Sequence, residues 1–136
     1  MGARIQAMLR QLRRFSDRHR HAHGPFAHLF MPYEGSDVIA IDCETTGLDS
    51  RHAELVSIAA VPVKQGRVLT SQALDIKLEA PDSLEGSSIR IHRLRPVDLD
   101  EGESVVATLE QLLDFIGNRP LVGWCVDFDV AMVNRY

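Results

Sequence analysis

The run Val38-Ile39-Ala40-Ile41 leads directly into Asp42-Cys43-Glu44, and it constrains the fold more than any other stretch. Apolar residues of this type form a strand, and a strand sends successive side chains to opposite faces, so Asp42 and Glu44 share one face while Cys43 takes the other. Two neighbouring carboxylates at the end of a buried-type strand repel each other, and a divalent cation with oxygen ligands relieves that repulsion. Thr45-Thr46-Gly47 follows at once, a tight exit where the backbone can approach a ligand closely. We read this stretch as a metal site for phosphate chemistry.

The remaining patterns fit around that strand. Glu54 to Val63 predicts a second strand, with Pro62 marking an edge or a bulge near its end. Gln65-Gly66 is a short turn, so Arg67 to Leu78 returns as a third, antiparallel strand and completes a meander. Val38 to Glu44 itself is apolar enough to be covered on both faces. Ala80 to Gly102 is a long polar connection interrupted by Ser88-Ile89-Arg90-Ile91-His92-Arg93-Leu94, and long connections in compact domains are usually functional. Ser104 caps a predicted helix whose buried stripe is Val105, Val106, Leu109, Leu112, Leu113 and Ile116, ended by Gly117-Asn118-Arg119-Pro120. Leu121 to Trp124 reads as a short buried strand, and Asp127-Phe128-Asp129 opens a last helix, with Asp127 a candidate cap. The sum is an α/β fold on a sheet of mixed direction.

Ahead of this body, Ile5, Met8, Leu9, Leu12 and Phe15 recur at helical spacing, so residues 4–16 predict an amphipathic helix with an arginine face. It serves either as a lid packed on the domain or as a helix for a protein partner. Residues 1–30 hold six arginines and one acid, a balance of +5, which leaves −9 on the remainder of a chain whose net charge is −4. So acidic a body argues against nucleic-acid binding through a basic footprint alone, though acids that hold metal ions would themselves be part of the count. His19, His21, His23 and His28 cluster after the helix, but no cysteine or carboxylate nearby completes a zinc ligand set. Cys43 and Cys125 both lie in apolar stretches and read as buried, reduced thiols, which places the chain in the cytoplasm. No apolar run approaches the ~20 residues that span a bilayer. The basic first residues lack the apolar segment of a secretory signal, so no membrane partner is expected.

Taken together, Asp42-Cys43-Glu44-Thr45-Thr46-Gly47-Leu48-Asp49 and Leu121-Val122-Gly123-Trp124-Cys125-Val126-Asp127-Phe128-Asp129 resemble the first and second motifs of the DEDD-type 3′-5′ exonucleases, the group that includes the epsilon proofreading subunit of the bacterial replicative DNA polymerase. Ile91-His92-Arg93-Leu94 falls where that family has an Ile-His-Gly-Ile element, and order and spacing agree over roughly residues 36–136. The resemblance implies a ribonuclease H-like mixed sheet with an antiparallel three-strand meander. It also implies hydrolysis by two magnesium or manganese ions about 3.5 to 4 Å apart. On this basis Asp42 bridges the ions, Glu44 ligates the one that activates water, and Asp129 holds the other. Thr45, Thr46 and Gly47 meet the terminal 3′-hydroxyl, Leu48 and Ile91 or Leu94 pack on terminal bases, and His92 contacts the nucleotide. The partners implied are a single-stranded DNA or RNA 3′ end and a nucleotide monophosphate product.

Two departures qualify these expectations. Trp124 and Cys125 stand where the family's common form has His-Asn, and Trp124 is expected to be a packing residue. The family completes its site with a later third motif, a general base and a fourth Asp, and the chain stops at Tyr136. We therefore expect residues 1–34 to form a basic helix and linker and residues 35–136 a partial exonuclease domain, incomplete at its C-terminal end, from a chain of ~170 to 200 residues and inactive alone. The alternative is a non-catalytic nucleic-acid- or partner-binding module on the same fold.

Overall fold

A computed structural model describes residues 3–136, with side chains from Gln6 onward. Strand β1 (Val38–Thr45) lies inside a five-stranded mixed sheet. Strand β2 (Leu55–Lys64) pairs antiparallel with it from Val38↔Val63 to Thr45↔Leu55, with an irregularity between Glu44 and Thr45. Gln65 and Gly66 both take positive φ, the two-residue turn whose twist suits a hairpin, and lead into β3 (Arg67–Val68). After a 3-10 turn over Thr70–Gln72, β4 (Leu74–Lys77) rejoins β2 antiparallel. This is the expected meander, but its third strand is split.

Pro62 accounts for the split. It sits in β2 opposite Ile39, not on a sheet edge, and so corrects the expected edge placement. A proline has no N–H for the ladder. The chain leaves the sheet between the β3 pair at Val63↔Val68 and the β4 pair at Ala60↔Leu74, and Leu69 N–H bonds to the Pro62 carbonyl at 2.9 Å.

The long connection folds into helix α2 (Gly86–His92) and a 3-10 turn over Pro96–Leu99. Helix α3 (Val105–Ile116) begins at Ser104, whose hydroxyl accepts the Ala107 N–H at 3.4 Å, and ends at Gly117 with φ 58°. Strand β5 (Leu121–Val122) then pairs parallel with β1 through Ile39↔Leu121 and Ala40↔Val122, and helix α4 (Val126–Val133) follows. Ile39, Ile41 and Cys43 of β1, Ile58 and Ala60 of β2, Leu112 and Ile116 of α3 and Met132 of α4 make one core. On the other face of the sheet Ala40 is half-buried and Asp42 and Ala59 are exposed, so β1 is covered fully on one face and not on both.

Helix α1 (Ala3–Arg20) runs past the predicted end at Ser16, because Arg18, His19 and Arg20 suit the negative end of a helix dipole. From Gln6 onward its side chains are exposed except Asp17, which is partly covered. Arg4 and Ile5 of the predicted faces lie outside the described side chains. The helix is tied down at its end, where Arg18 Nε donates to the Phe30 carbonyl at 3.3 Å and His21 stacks on Phe30 with ring centroids 4.6 Å apart. The histidines go separate ways: His19 neighbours Phe15, and His28 stands 4.0 Å from Asp114.

Candidate active site

The parallel pairing of β5 with β1 stops at Ala40, so the next stretch of β1 has an open edge. Helix α4 fills it. Cys125, the residue before α4, takes the left-handed conformation at φ 54° and turns the chain so that Phe128 and Asp129 face β1. Asp129 is 3% exposed, and its Oδ1 accepts the Cys43 N–H at 2.9 Å. A buried carboxylate is thus fixed on the backbone of the one residue that separates Asp42 from Glu44.

The electrostatics follow from that convergence. Burial raises the pKa of the Asp129 carboxyl and the charge of Asp42 adds to it, while the bonds from Cys43 act in the opposite direction. The Cys43 thiol is pushed far above its ordinary range, first by burial and then by Asp129, Asp42 and Glu44, which leaves it neutral. Among the described residues no ion pair involves Asp42, Glu44 or Asp129. By contrast Asp49, two residues from the cavity's Gly47, is held well below the carboxylate range by hydrogen bonds from Arg51 and His52.

The open edge of β1 forms the floor of a cavity of about 290 Å³. It brings together nine of the ten predicted site residues: Asp42, Glu44, Asp129, Thr45, Thr46, Gly47, Leu48, Ile91 and His92. Leu94 lies outside the lining, and its N–H instead donates to His92 Nδ1 at 3.1 Å. That bond places the imidazole proton on Nε2, which is buried without a partner. Thr45 Oγ1 donates to the Gly47 carbonyl at 2.7 Å, and Thr46 Oγ1 accepts from Glu54 N–H and Ser83 Oγ, each at 3.0 Å. Gly47 has no positive φ, and a Cβ there would meet only Ala53 at 3.9 Å, so the protein itself does not demand glycine.

Sequence reasoning missed Ser87, Ser88, Phe128 and Trp124 in the lining. The two serines carry no sequence signal, whereas Phe128 stands in the second motif beside Asp129. Trp124 is 90% exposed and so is not the packing residue expected from the sequence. Cys125 is exposed too, which corrects its expected burial, and both cysteines are free thiols.

Asp42, Glu44 and Asp129 offer the hard oxygen donors that magnesium and manganese prefer. Among the described residues no group of three or more His, Cys, Asp or Glu side chains forms a ready-made metal cage. An open carboxylate set fits magnesium in particular, which commonly takes one or two carboxylates and completes its shell with water and substrate phosphate. Among the described residues no helix is long and apolar enough to cross a membrane.

Comparison with known proteins converges on the same stretch. The family model RNase_T, described as Exonuclease, matches residues 39–136. A PolC-type DNA polymerase III from Thermotoga petrophila is 28% identical over 104 residues, 76% of this chain but 8% of the polymerase. An oligoribonuclease from Shewanella oneidensis is 29% identical over 119 residues, 78% of this chain and 66% of that protein. Among solved structures, exonuclease I in its apo form superposes with a TM-score of 0.64 at 17% identity, over 74% of this chain and 24% of that one. E. coli exonuclease I in complex with a dT13 oligonucleotide gives 0.62 at 15% identity, over 73% and 23%. These structures share the mixed-sheet fold.

Proposed function

The chain belongs to the exonuclease family whose model matches residues 39–136, and on that premise we propose that it hydrolyses phosphodiester bonds at the 3′ end of a single-stranded DNA or RNA, releasing nucleoside monophosphates. The observation that carries the reading is the hydrogen bond from Cys43 N–H to Asp129 Oδ1, which draws a third carboxylate to the Asp42-Glu44 pair on the floor of the cavity.

Asp42, Glu44 and Asp129 would hold the divalent ions, magnesium or manganese, two in number by the family pattern. Bound there, such ions supply Lewis-acid neutralisation of the phosphate and a nucleophilic water at neutral pH. The protein's own part is positioning. The β1 backbone and α4 hold the carboxylates, and the Thr45–Gly47 turn, closed by the bond from Thr45 Oγ1 to Gly47 O, presents the backbone to the terminal sugar. Gly47 keeps that approach open, in keeping with a glycine that the fold does not need. His92, which accepts the Leu94 N–H, lines the cavity beside the nucleotide, and Leu48 and Ile91 give the bases apolar contact. Two free thiols accord with a reducing, cytoplasmic setting. Helix α1, whose side chains are exposed from Gln6 onward except Asp17, is suited to a protein partner.

The test is a 5′-labelled single-stranded oligonucleotide incubated with the full-length protein and magnesium or manganese. A ladder shortening from the 3′ end is expected. Asp42→Ala should slow it by about 10³-fold or more, since metal-held charge stabilisation contributes several kcal/mol. Undiminished hydrolysis in that variant would refute the assignment. Absence of any hydrolysis in the wild type would favour the binding-module alternative.

A further inference from the structure

Three large apolar side chains stand out into solvent on the lining of this one cavity: Leu48 and Trp124, each 90% exposed, and Ile91, 79% exposed. They come from three separate segments, the exit of β1, the last turn of α2 and the turn between β5 and α4. Single exposed apolar residues need no explanation, but a group gathered on a cavity floored by acids has one in the chemistry of its ligand. A single-stranded nucleic acid has this double character, with charged phosphates along one edge and apolar base faces along the other.

The backbone beside Trp124 is tightly placed. A Cβ at Gly123 would lie 2.6 Å from the Ile41 carbonyl oxygen, so the turn's backbone lies against β1 and leaves no room for a side chain beneath it. The next residue, Cys125, takes the left-handed conformation, which costs a non-glycine residue about 1–2 kcal/mol. An indole kept in water on a strained turn gains nothing for folding. It is available for stacking, and aromatic stacking is tolerant of base identity because every base has a flat π-face.

We propose that Trp124 is a nucleobase platform, stacking on a base at the 3′ end of a bound single strand, with Leu48 and Ile91 as the apolar walls beside it. The inference rests on the reading of the cavity as an exonuclease site and adds to it a residue that the family pattern does not supply.

Trp124 is the only tryptophan among these 136 residues, and the change in emission is assigned to it by its loss in Trp124→Phe. The full-length protein is titrated, with magnesium present, with 5′-labelled DNA and RNA single strands whose 3′-terminal linkages are phosphorothioates and resist hydrolysis. Tryptophan quenching should saturate at the same midpoint as the anisotropy of the label. A strand with an abasic 3′-terminal residue should bind more weakly and lose most of the quenching. Trp124→Ala should weaken binding about 5- to 150-fold, and Trp124→Phe should recover it to within about 3-fold. If the strands bind while the emission stays unchanged and Trp124→Ala binds like wild type, the platform is refuted, and the exonuclease reading stands on its own hydrolysis assay. If neither strand binds, the platform is overturned as well, and loss of the 3′ ladder on ordinary strands would show that the reading beneath it has failed too.

Discussion

In the proposed site Asp129 would serve structure and chemistry with one carboxylate. Its Oδ1 satisfies the Cys43 N–H at the unpaired edge of β1, and its charge lies beside Asp42 in a site that raises its pKa by burial. Substitution separates the two. Asp129→Asn keeps the acceptor and the volume while removing a buried charge, so the melting temperature should hold or rise, and hydrolysis should still fall by about 10²-fold or more. Asp129→Ala leaves the Cys43 N–H buried without a partner, at a cost of about 1–3 kcal/mol, and should lower the melting temperature as well. Calorimetry of both variants beside the ladder assay decides the matter, and equal melting temperatures for the two would refute the structural half. Asp42 and Glu44 are legible as a pair because strand alternation is local, whereas Asp129 is singled out only by the resemblance of residues 121–129 to the family's second motif. Trp124 was misread because exposure is set by what packs against a residue, and nothing near it in sequence says that β1 occupies the space beneath its turn.

The elements that build the site meet where the chain passes from β5 to α4. Strand β5 is only Leu121–Val122, shorter than its apolar run suggests, because Gly123 must already pass close against the Ile41 carbonyl. Gly123→Ala would place a Cβ 2.6 Å from that oxygen. Either the β1–β5 pairing or the start of α4 must shift, and overpacking of this kind costs about 1–3 kcal/mol. A lower melting temperature together with reduced hydrolysis is expected, since α4 carries Asp129. An unchanged melting temperature would show that the contact relaxes freely. Helix α3 is legible down to its Ser104 cap and Gly117 end, since caps and periodicity are local signals, whereas α2 is hidden in a connection that reads as irregular. The strands were read less well. Whether Pro62 lies on an edge depends on which strands flank β2, and coverage of β1 on a second face depends on partners that alternation cannot reveal.

Across the whole molecule, charge divides the chain near residue 30. Residues 1–30 carry +5 and the remainder −9, and α1 packs through its last turn on Phe30 of the segment that follows it. The segment after it is anchored near the start of β5, where Asn118 Nδ2 donates to the Met31 and Pro32 carbonyls at 3.2 and 3.1 Å. The cavity lies at the other end of β1, five residues from Val38 to Cys43, or roughly 17 Å along the strand. An exposed helix so placed buries little apolar surface against the body, and its removal gives up little of the stability that burial supplies. Deleting residues 1–20 should therefore leave the melting temperature of the remainder within about 2 °C, and hydrolysis of a short single strand within about 2-fold. The same deletion should abolish any association made through the exposed stripe Met8, Leu12 and Phe15 with its flanking arginines. A large fall in both stability and hydrolysis would instead show that α1 is the lid that the sequence also allowed. The paired measurement thus chooses between the two roles an amphipathic helix can have, a choice that its periodicity alone could not make.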